Sequence, residues 1–364
     1  MKKKLLAAVL AFLCVLTILN FGKIDIAKAE EAGVAHFFSH ELVYSPERAY
    51  CKADRLRRCF DRDHLTASEF KKILEEWHSR GYVLVNIEDV YAFENGKWHE
   101  KKGVDLNEKK PIILSFDDLT YDTRERGIVE KIVEKDGEIW DYASCEEQQF
   151  TQERDGVTIL EKFIEENPDF SFNGARAILC VTGYNGAFGH RVFEGTYLSG
   201  EKLEKEEESL KNLVALLKEK GYRFGCHSYS HFNCAYASAG QFREDLRKWQ
   251  NEIGKYVGET NIYCYPGGNH KAQSQNNEFL KANGFTTFLC TGQAPTKGEE
   301  NENRATYFYR HPLDGTSLRL CEKEYAKFFD TRKVYEEKRY LPFSCRQGYG
   351  EWNGQRLVLF LKLL

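Results

Sequence analysis

Pro111-Ile112-Ile113-Leu114-Ser115-Phe116-Asp117-Asp118 is an apolar run that ends abruptly in two adjacent carboxylates. A short apolar run closed by polar residues reads as a buried strand, and α/β folds gather their ligands at the carboxyl ends of such strands. Two neighbouring Asp side chains repel each other unless something uses them. A cation held by one relieves that repulsion and leaves the other free to accept a proton, so the pair asks for a metal.

The remaining ligands come about a hundred residues later. Gly221-Tyr222-Arg223-Phe224-Gly225-Cys226 reads as a second short strand and runs straight into His227-Ser228-Tyr229-Ser230-His231. Two His four apart are expected on one face of a helical turn, where both imidazoles reach one ion. Asp118, His227 and His231 then make a two-His, one-carboxylate set with positions open to water, as catalytic metal centres have. A third short strand, Asn261–Cys264, leads into Tyr265-Pro266-Gly267-Gly268, a turn whose backbone can approach a ligand closely.

Strand plus Asp-Asp, strand plus His-Ser-x-x-His and strand plus Tyr-Pro-x-Gly, in that order from about Pro111 to Arg310, resemble the polysaccharide deacetylases of the NodB-homology type, carbohydrate esterase family 4. Strand and helix alternate from Pro111 onward, which argues for parallel strands with right-handed crossovers. The resemblance implies the corresponding α/β fold, a distorted, partly open parallel β/α barrel. It also implies a divalent ion, Zn2+ first with Co2+ or Ni2+ open, and an acetylated polysaccharide of the cell wall or extracellular space as substrate. The reaction implied is hydrolysis of an N-acetyl group, with O-acetyl second. Asp117 is then the general base, Asp118, His227 and His231 hold the ion, and Tyr265, Pro266 and Gly267 surround the substrate oxygen that becomes anionic.

The chain departs from the family pattern in three places. Leu119 stands where a Gly usually follows Asp-Asp, and Cys264 stands where many members carry an Arg that orients the base. The late Leu-x-His motif that supplies the general acid has no clear equivalent; His311, after the apolar run Tyr307–Arg310, is the first candidate and His270 the second. The alternative is a weak or inactive glycan-binding member of the same fold, and a peptidase or amidase on the same barrel is a third reading.

The chain has 364 residues, 42% hydrophobic and 30% charged, enough for one large folded domain with extensions. Lys2-Lys3-Lys4, the apolar run Leu5 to Phe21 and Ala27-Lys28-Ala29 have the three parts of a secretory signal over residues 1–29, with an uncleaved membrane anchor as the alternative. Either places the protein outside the cytoplasmic membrane, secreted or at the cell surface, with no other membrane contact expected. Loss of that segment removes five Lys and one Asp, taking the formal net charge from −4 to about −8, which disfavours nucleic acid as a partner. Cys180, Cys226, Cys264 and Cys290 fall in expected core strands and read as small buried hydrophobes, whereas Cys51 and Cys59 are the better candidates for a disulfide.

Residues 30–110 are expected to form an N-terminal extension packed on the barrel, 111–330 the catalytic domain with an insertion at 120–174, and 331–364 a tail. Thr66-Ala67-Ser68-Glu69 is a capping box opening a helix to Arg80. In the insertion, Glu125–Lys135 and Thr158–Glu166 read as helices around a polar loop; Trp140 is its candidate for stacking on a sugar. His36 and His40 stand four apart but lack an accompanying carboxylate strand end, so they read as packing residues, with a substrate-side role left open.

Overall fold

Strands β1 (Ala35–Ser39) and β2 (Lys110–Asp118) lie side by side in parallel, from Ala35 opposite Ile112 to Ser39 opposite Phe116, and their pairing closes a ring. From β2 the ring runs through β3 (Ile178–Val181), β4 (Arg223–Cys226), β5 (Ile262–Cys264), β6 (Thr287–Thr291) and β7 (Thr306–Pro312), which pairs back onto β1. Every pairing around the ring is parallel. The computed structural model describes residues 33–50, 55–122, 127–268, 275–291, 299–300, 306–336 and 339; the expected leader lies outside them. The expected α/β barrel is present and closed, with Ala35–Ser39, assigned by sequence to an extension, as its first strand.

Closure explains why the strands carry apolar runs without polar alternation: one face looks into the barrel and the other onto helices. Along β2, Ile112, Leu114 and Phe116 pack outward, while Ile113, Ser115 and Asp117 point inward. Crossover helices α1 (Ala67–Ser79), α2 (Gly156–Glu166), α3 (Glu201–Lys220), α4 (Ala239–Trp249) and α5 (Gln275–Ala282) join successive strands from β1 to β6. The first begins at the expected capping box, with Thr66 and Glu69 each bonding the other's backbone N–H. Glu69 is also held by Arg339, whose guanidinium reaches both of its carboxylate oxygens at 2.8 and 2.5 Å, so the tail is anchored to α1 at this point.

The insertion differs from expectation at its first half. Lys131–Lys135 is a strand, paired antiparallel with Glu138–Tyr142 across an Asp136-Gly137 turn, both turn residues at positive φ. Asp-Gly flanked by β-branched alternation is a hairpin signal, and it outweighs the helical spacing of the same residues. Trp140 sits half-buried on this hairpin, 5.7 Å from Lys135 Nζ.

A second hairpin, Tyr91–Glu94 with Lys97–Glu100, turns at Asn95-Gly96 and seals the end of the barrel where the strands begin. Its Trp98 indole donates to Thr287 Oγ1 at 3.0 Å and packs with Phe308 among the inward residues Ile113, Ile178, Ile262 and Leu289. Replacing Trp98 with Ala should cost roughly 3–5 kcal/mol of unfolding free energy, whereas Trp98→Phe, which keeps most of the volume, should cost about half or less. Urea denaturation of the two variants checks this, and equal losses would show that the plug does not act by filling space.

Candidate metal centre

The site forms at the open end, where the strands finish. Asp117 is the last inward residue of β2. The chain then turns sharply through Asp118 (φ 69°) and Leu119 (φ 54°), with Tyr121 (φ 51°) close behind. Left-handed backbone costs a residue with a side chain about 1 kcal/mol or more, so this bend must be held from outside. Leu119 thus holds by constraint a conformation that a glycine would adopt freely.

On β4, alternation sends His227 into the barrel mouth. Its Nδ1 lies 3.0 Å from the Cys264 carbonyl; a carbonyl only accepts, so Nδ1 carries the proton and Nε2 presents its lone pair to the site. His227 Nε2 and His231 Nε2 lie 3.5 and 3.3 Å from the same Asp118 oxygen. The two His do not meet through a helical turn. Residues 228–231 form a loop with Ser228 and His231 at positive φ. Asp245 of α4 holds that loop, accepting from the amides of Tyr229 (2.7 Å) and Ser230 (2.8 Å) and from the Ser230 hydroxyl.

Asp118, His227 and His231 fit a divalent ion on three counts. Their donor atoms converge, and one His has its tautomer fixed. The Asp118 and His231 side chains keep 29% and 40% of their surface exposed, which leaves room for water and substrate. Glu41 adds negative charge nearby: burial and then the Asp118 carboxylate push its pKa up to about 7. A second convergent group, Asp117, His227 and Cys264, is closed to cations because a guanidinium already occupies it. Arg310 of β7 donates to both Asp117 oxygens at 2.6 and 2.7 Å, to Ser115 Oγ at 2.8 Å and to Cys264 Sγ at 2.9 Å. Burial alone would raise the Asp117 pKa; Arg310, then His227, reverses this and holds the carboxyl well below the usual range. The arginine partner of Asp117 thus comes from β7, while β5 contributes the Cys264 thiol.

With this geometry in place, residues 175–288 match the family model described as Polysaccharide deacetylase. That stretch is where the chain is similar to the polysaccharide deacetylases. The match covers both candidate His ligands and the Pro266-Gly267 turn, with the Asp-Asp strand lying ahead of it and Arg310 behind. Among solved structures, the chain is similar to the deacetylase PplD of Streptococcus pyogenes in complex with acetate (16% identity, 78% of this chain and 96% of that one, TM-score 0.45). It is also similar to a de-N-acetylase from Aggregatibacter actinomycetemcomitans (14%, 78% and 95%, TM-score 0.45) and to a Bacillus anthracis CE4 family pseudoenzyme (11%, 49% and 56%, TM-score 0.27). No curated protein matches the chain.

Several expected site residues are placed differently. Tyr265 points outward, buried, with its hydroxyl 2.7 Å from Asn277, and its amide is spent on Leu289. Pro266 has no N–H and the Gly268 amide bonds Tyr265, which leaves exposed Gly267 as the turn's candidate donor. His311 follows the inward Arg310 on β7 and therefore faces the helices, its ring 5.4 Å from Phe37 and 6.0 Å from Phe328. Burial, then Lys327, drives its pKa down to about 4, so it is neither in the site nor charged. His270 lies outside the described residues, as does Cys51; Cys59 is a free thiol. His36 is inside the barrel beneath the site, its Nε2 3.3 Å from Ser115 Oγ.

His40 is the residue that sequence reasoning undervalued. Ser39 pairs with Phe116, so His40 leaves β1 beside Asp117. Burial opposes its protonation, but Asp118, Asp117 and Glu41 together hold its pKa above the ordinary value. Its Nδ1 lies 2.7 Å from the Asp63 carbonyl, which leaves Nε2 to titrate.

Removing Arg310 would strand the Asp117 charge in the barrel. Arg310→Met should lower unfolding free energy by roughly 3–5 kcal/mol, and adding Asp117→Leu should recover most of it. Denaturant titration of single and double variants tests the pair; no recovery in the double variant would show that Arg310 acts through packing instead.

Proposed function

We propose that this protein is a metal-dependent hydrolase that removes N-acetyl groups from a polysaccharide outside the cytoplasmic membrane. The observation that carries this reading is the pair of adjacent Asp side chains with different partners, Asp118 facing two imidazoles and Asp117 fixed by Arg310. The N-terminal Lys2-Lys3-Lys4 and apolar run support export.

A divalent cation held by Asp118, His227 and His231, with Zn2+ the first choice for two imidazoles and a carboxylate, would supply Lewis-acid polarisation of the attacking water and the acetyl oxygen. Asp117 accepts the proton of that water. Arg310 uses one lone pair of each carboxylate oxygen and keeps the group ionised and correctly turned, leaving acceptor capacity toward the mouth. The exposed Gly267 N–H would stabilise the developing oxyanion. The sugar amine departs only after gaining a proton, and His40, with its raised pKa, is the donor in place of His311. The carbon–nitrogen bond breaks, giving acetate and a free amine.

Acetate release from acetylated glycans by the Zn2+-loaded protein should fall below detection in Asp117→Asn and His231→Ala and after chelation, with Zn2+ restoring only the unsubstituted protein. Zn2+ binding that depends on His231 without release from any glycan would favour a binding role. His40→Ala should lower kcat by about 10²–10⁴-fold with Zn2+ affinity held within a few-fold, as expected of a proton donor and not of a ligand. Activity unchanged in that variant would show that a group other than His40 protonates the departing amine.

A further inference from the structure

The bend that presents Asp118 contains no glycine, and the structure shows what replaces one. Beyond Leu119 it passes through Thr120 and Tyr121, both buried. Their amides donate to a single oxygen of Glu41, at 2.9 and 3.2 Å. Their carbonyls accept from Arg191, Thr120 at 2.9 Å and Tyr121 through a second short contact. Two buried, charged side chains from distant parts of the chain therefore bond all four backbone polar groups of these residues. Glu41 is itself fixed, since its carbonyl lies 2.7 Å from His64 Nδ1. Neighbouring bonds, Phe188 N–H to the Leu119 carbonyl at 2.8 Å and Thr182 N–H to the Asp118 carbonyl at 2.9 Å, complete the hold.

We propose that Glu41 is a positioning residue for the metal-ligating loop: its carboxylate, opposed by Arg191 across the same two residues, imposes the left-handed bend that aims Asp118 at His227 and His231. This rests on the metal-centre reading above. The chemistry is specific. A carboxylate accepting two amides offers the bend what a glycine offers by conformational freedom, but as an enthalpic tie that is lost with one side chain. Glu41 also lies near Asp118, so a rival explanation is that its charge acts on the ion directly. The two differ in what glutamine does: a Gln amide oxygen still accepts both N–H bonds but carries no charge.

The test is Zn2+ titration calorimetry of the metal-free protein and its Glu41→Gln, Glu41→Ala and Arg191→Met variants, with hydrogen exchange at the Thr120 and Tyr121 amides. We expect Glu41→Ala and Arg191→Met to weaken Zn2+ by about 10–100-fold, the range seen when groups behind metal ligands are removed, with Glu41→Gln within about three-fold. Exchange at the two amides should speed up at least about ten-fold in Glu41→Ala and stay slow in Glu41→Gln. Equal weakening by Gln and Ala would overturn the proposal in favour of a charge effect, and unchanged affinity in Ala would overturn it outright. If the unsubstituted protein binds no Zn2+, the metal reading fails, and exchange alone decides whether Glu41 holds the loop. Should Glu41→Ala not fold, the Arg191→Met and Glu41→Gln comparison decides.

Discussion

The Arg310–Asp117 pair lies where the barrel changes from a packed interior to an open site. Beneath it are Ile113, Ile178, Ile262, Leu289 and Phe308; above it are His227, Asp118 and solvent. Desolvating two charges there costs several kcal/mol per ion, recovered only by bidentate geometry and by further bonds on the guanidinium. Ser115 and Cys264 supply those bonds, and the Phe38 ring lies 4.4 Å from the guanidinium carbon. The pair sets the division of labour between the two Asp residues. One is neutralised by a protein cation and the other faces two imidazoles at the mouth.

The same arrangement explains the thiols around it. Cys180 and Cys264 come from β3 and β5, with β4 between them, and Gly225 leaves the gap: a Cβ there would come within 3.2 Å of Cys180 Sγ. The two side chains meet across that gap as free thiols. Their role is space-filling, and Cys264 adds a soft acceptor for Arg310. Both ligand-bearing loops follow a common plan as well. Each bends through positive φ without glycine, and each is tied by a carboxylate from elsewhere, Glu41 for the first and Asp245 for the second. Neither carboxylate is among the groups that converge as candidate metal ligands in the described residues. A site built this way depends on the folded barrel for its geometry and not on local sequence.

That dependence marks what could be read from the chain alone. Strand ends, their order and the residues that converge at the mouth were legible because Asp117-Asp118 and His227-Ser-x-x-His231 are local patterns set against apolar runs. The helix after Thr66 was legible through its capping box. Arg310 was visible as a residue but not as the partner of Asp117, because that contact spans 193 positions and depends on ring closure. Closure itself was hidden: β1 is five buried residues, and nothing local distinguishes a barrel strand from an extension lying on one. The insertion was misread where helical spacing and a hairpin turn competed within the same few residues.

His311 and His40 show how far strand alternation alone can carry an assignment. Arg310 must point inward, since it meets Asp117, Ser115 and Cys264 there; its neighbour on an extended strand must then point outward, and no rotamer of His311 reverses that. The aromatic cage of Phe37, Tyr325 and Phe328 confirms the direction. On the adjacent strand the same rule, applied through the pairing of Ser39 with Phe116, brings His40 level with Asp117 at the strand ends. A histidine that follows the first strand thus stands at the mouth beside Asp117. In a closed ring β1 and β7 are neighbours, so a group that one strand turns away from the mouth can have its counterpart on the other.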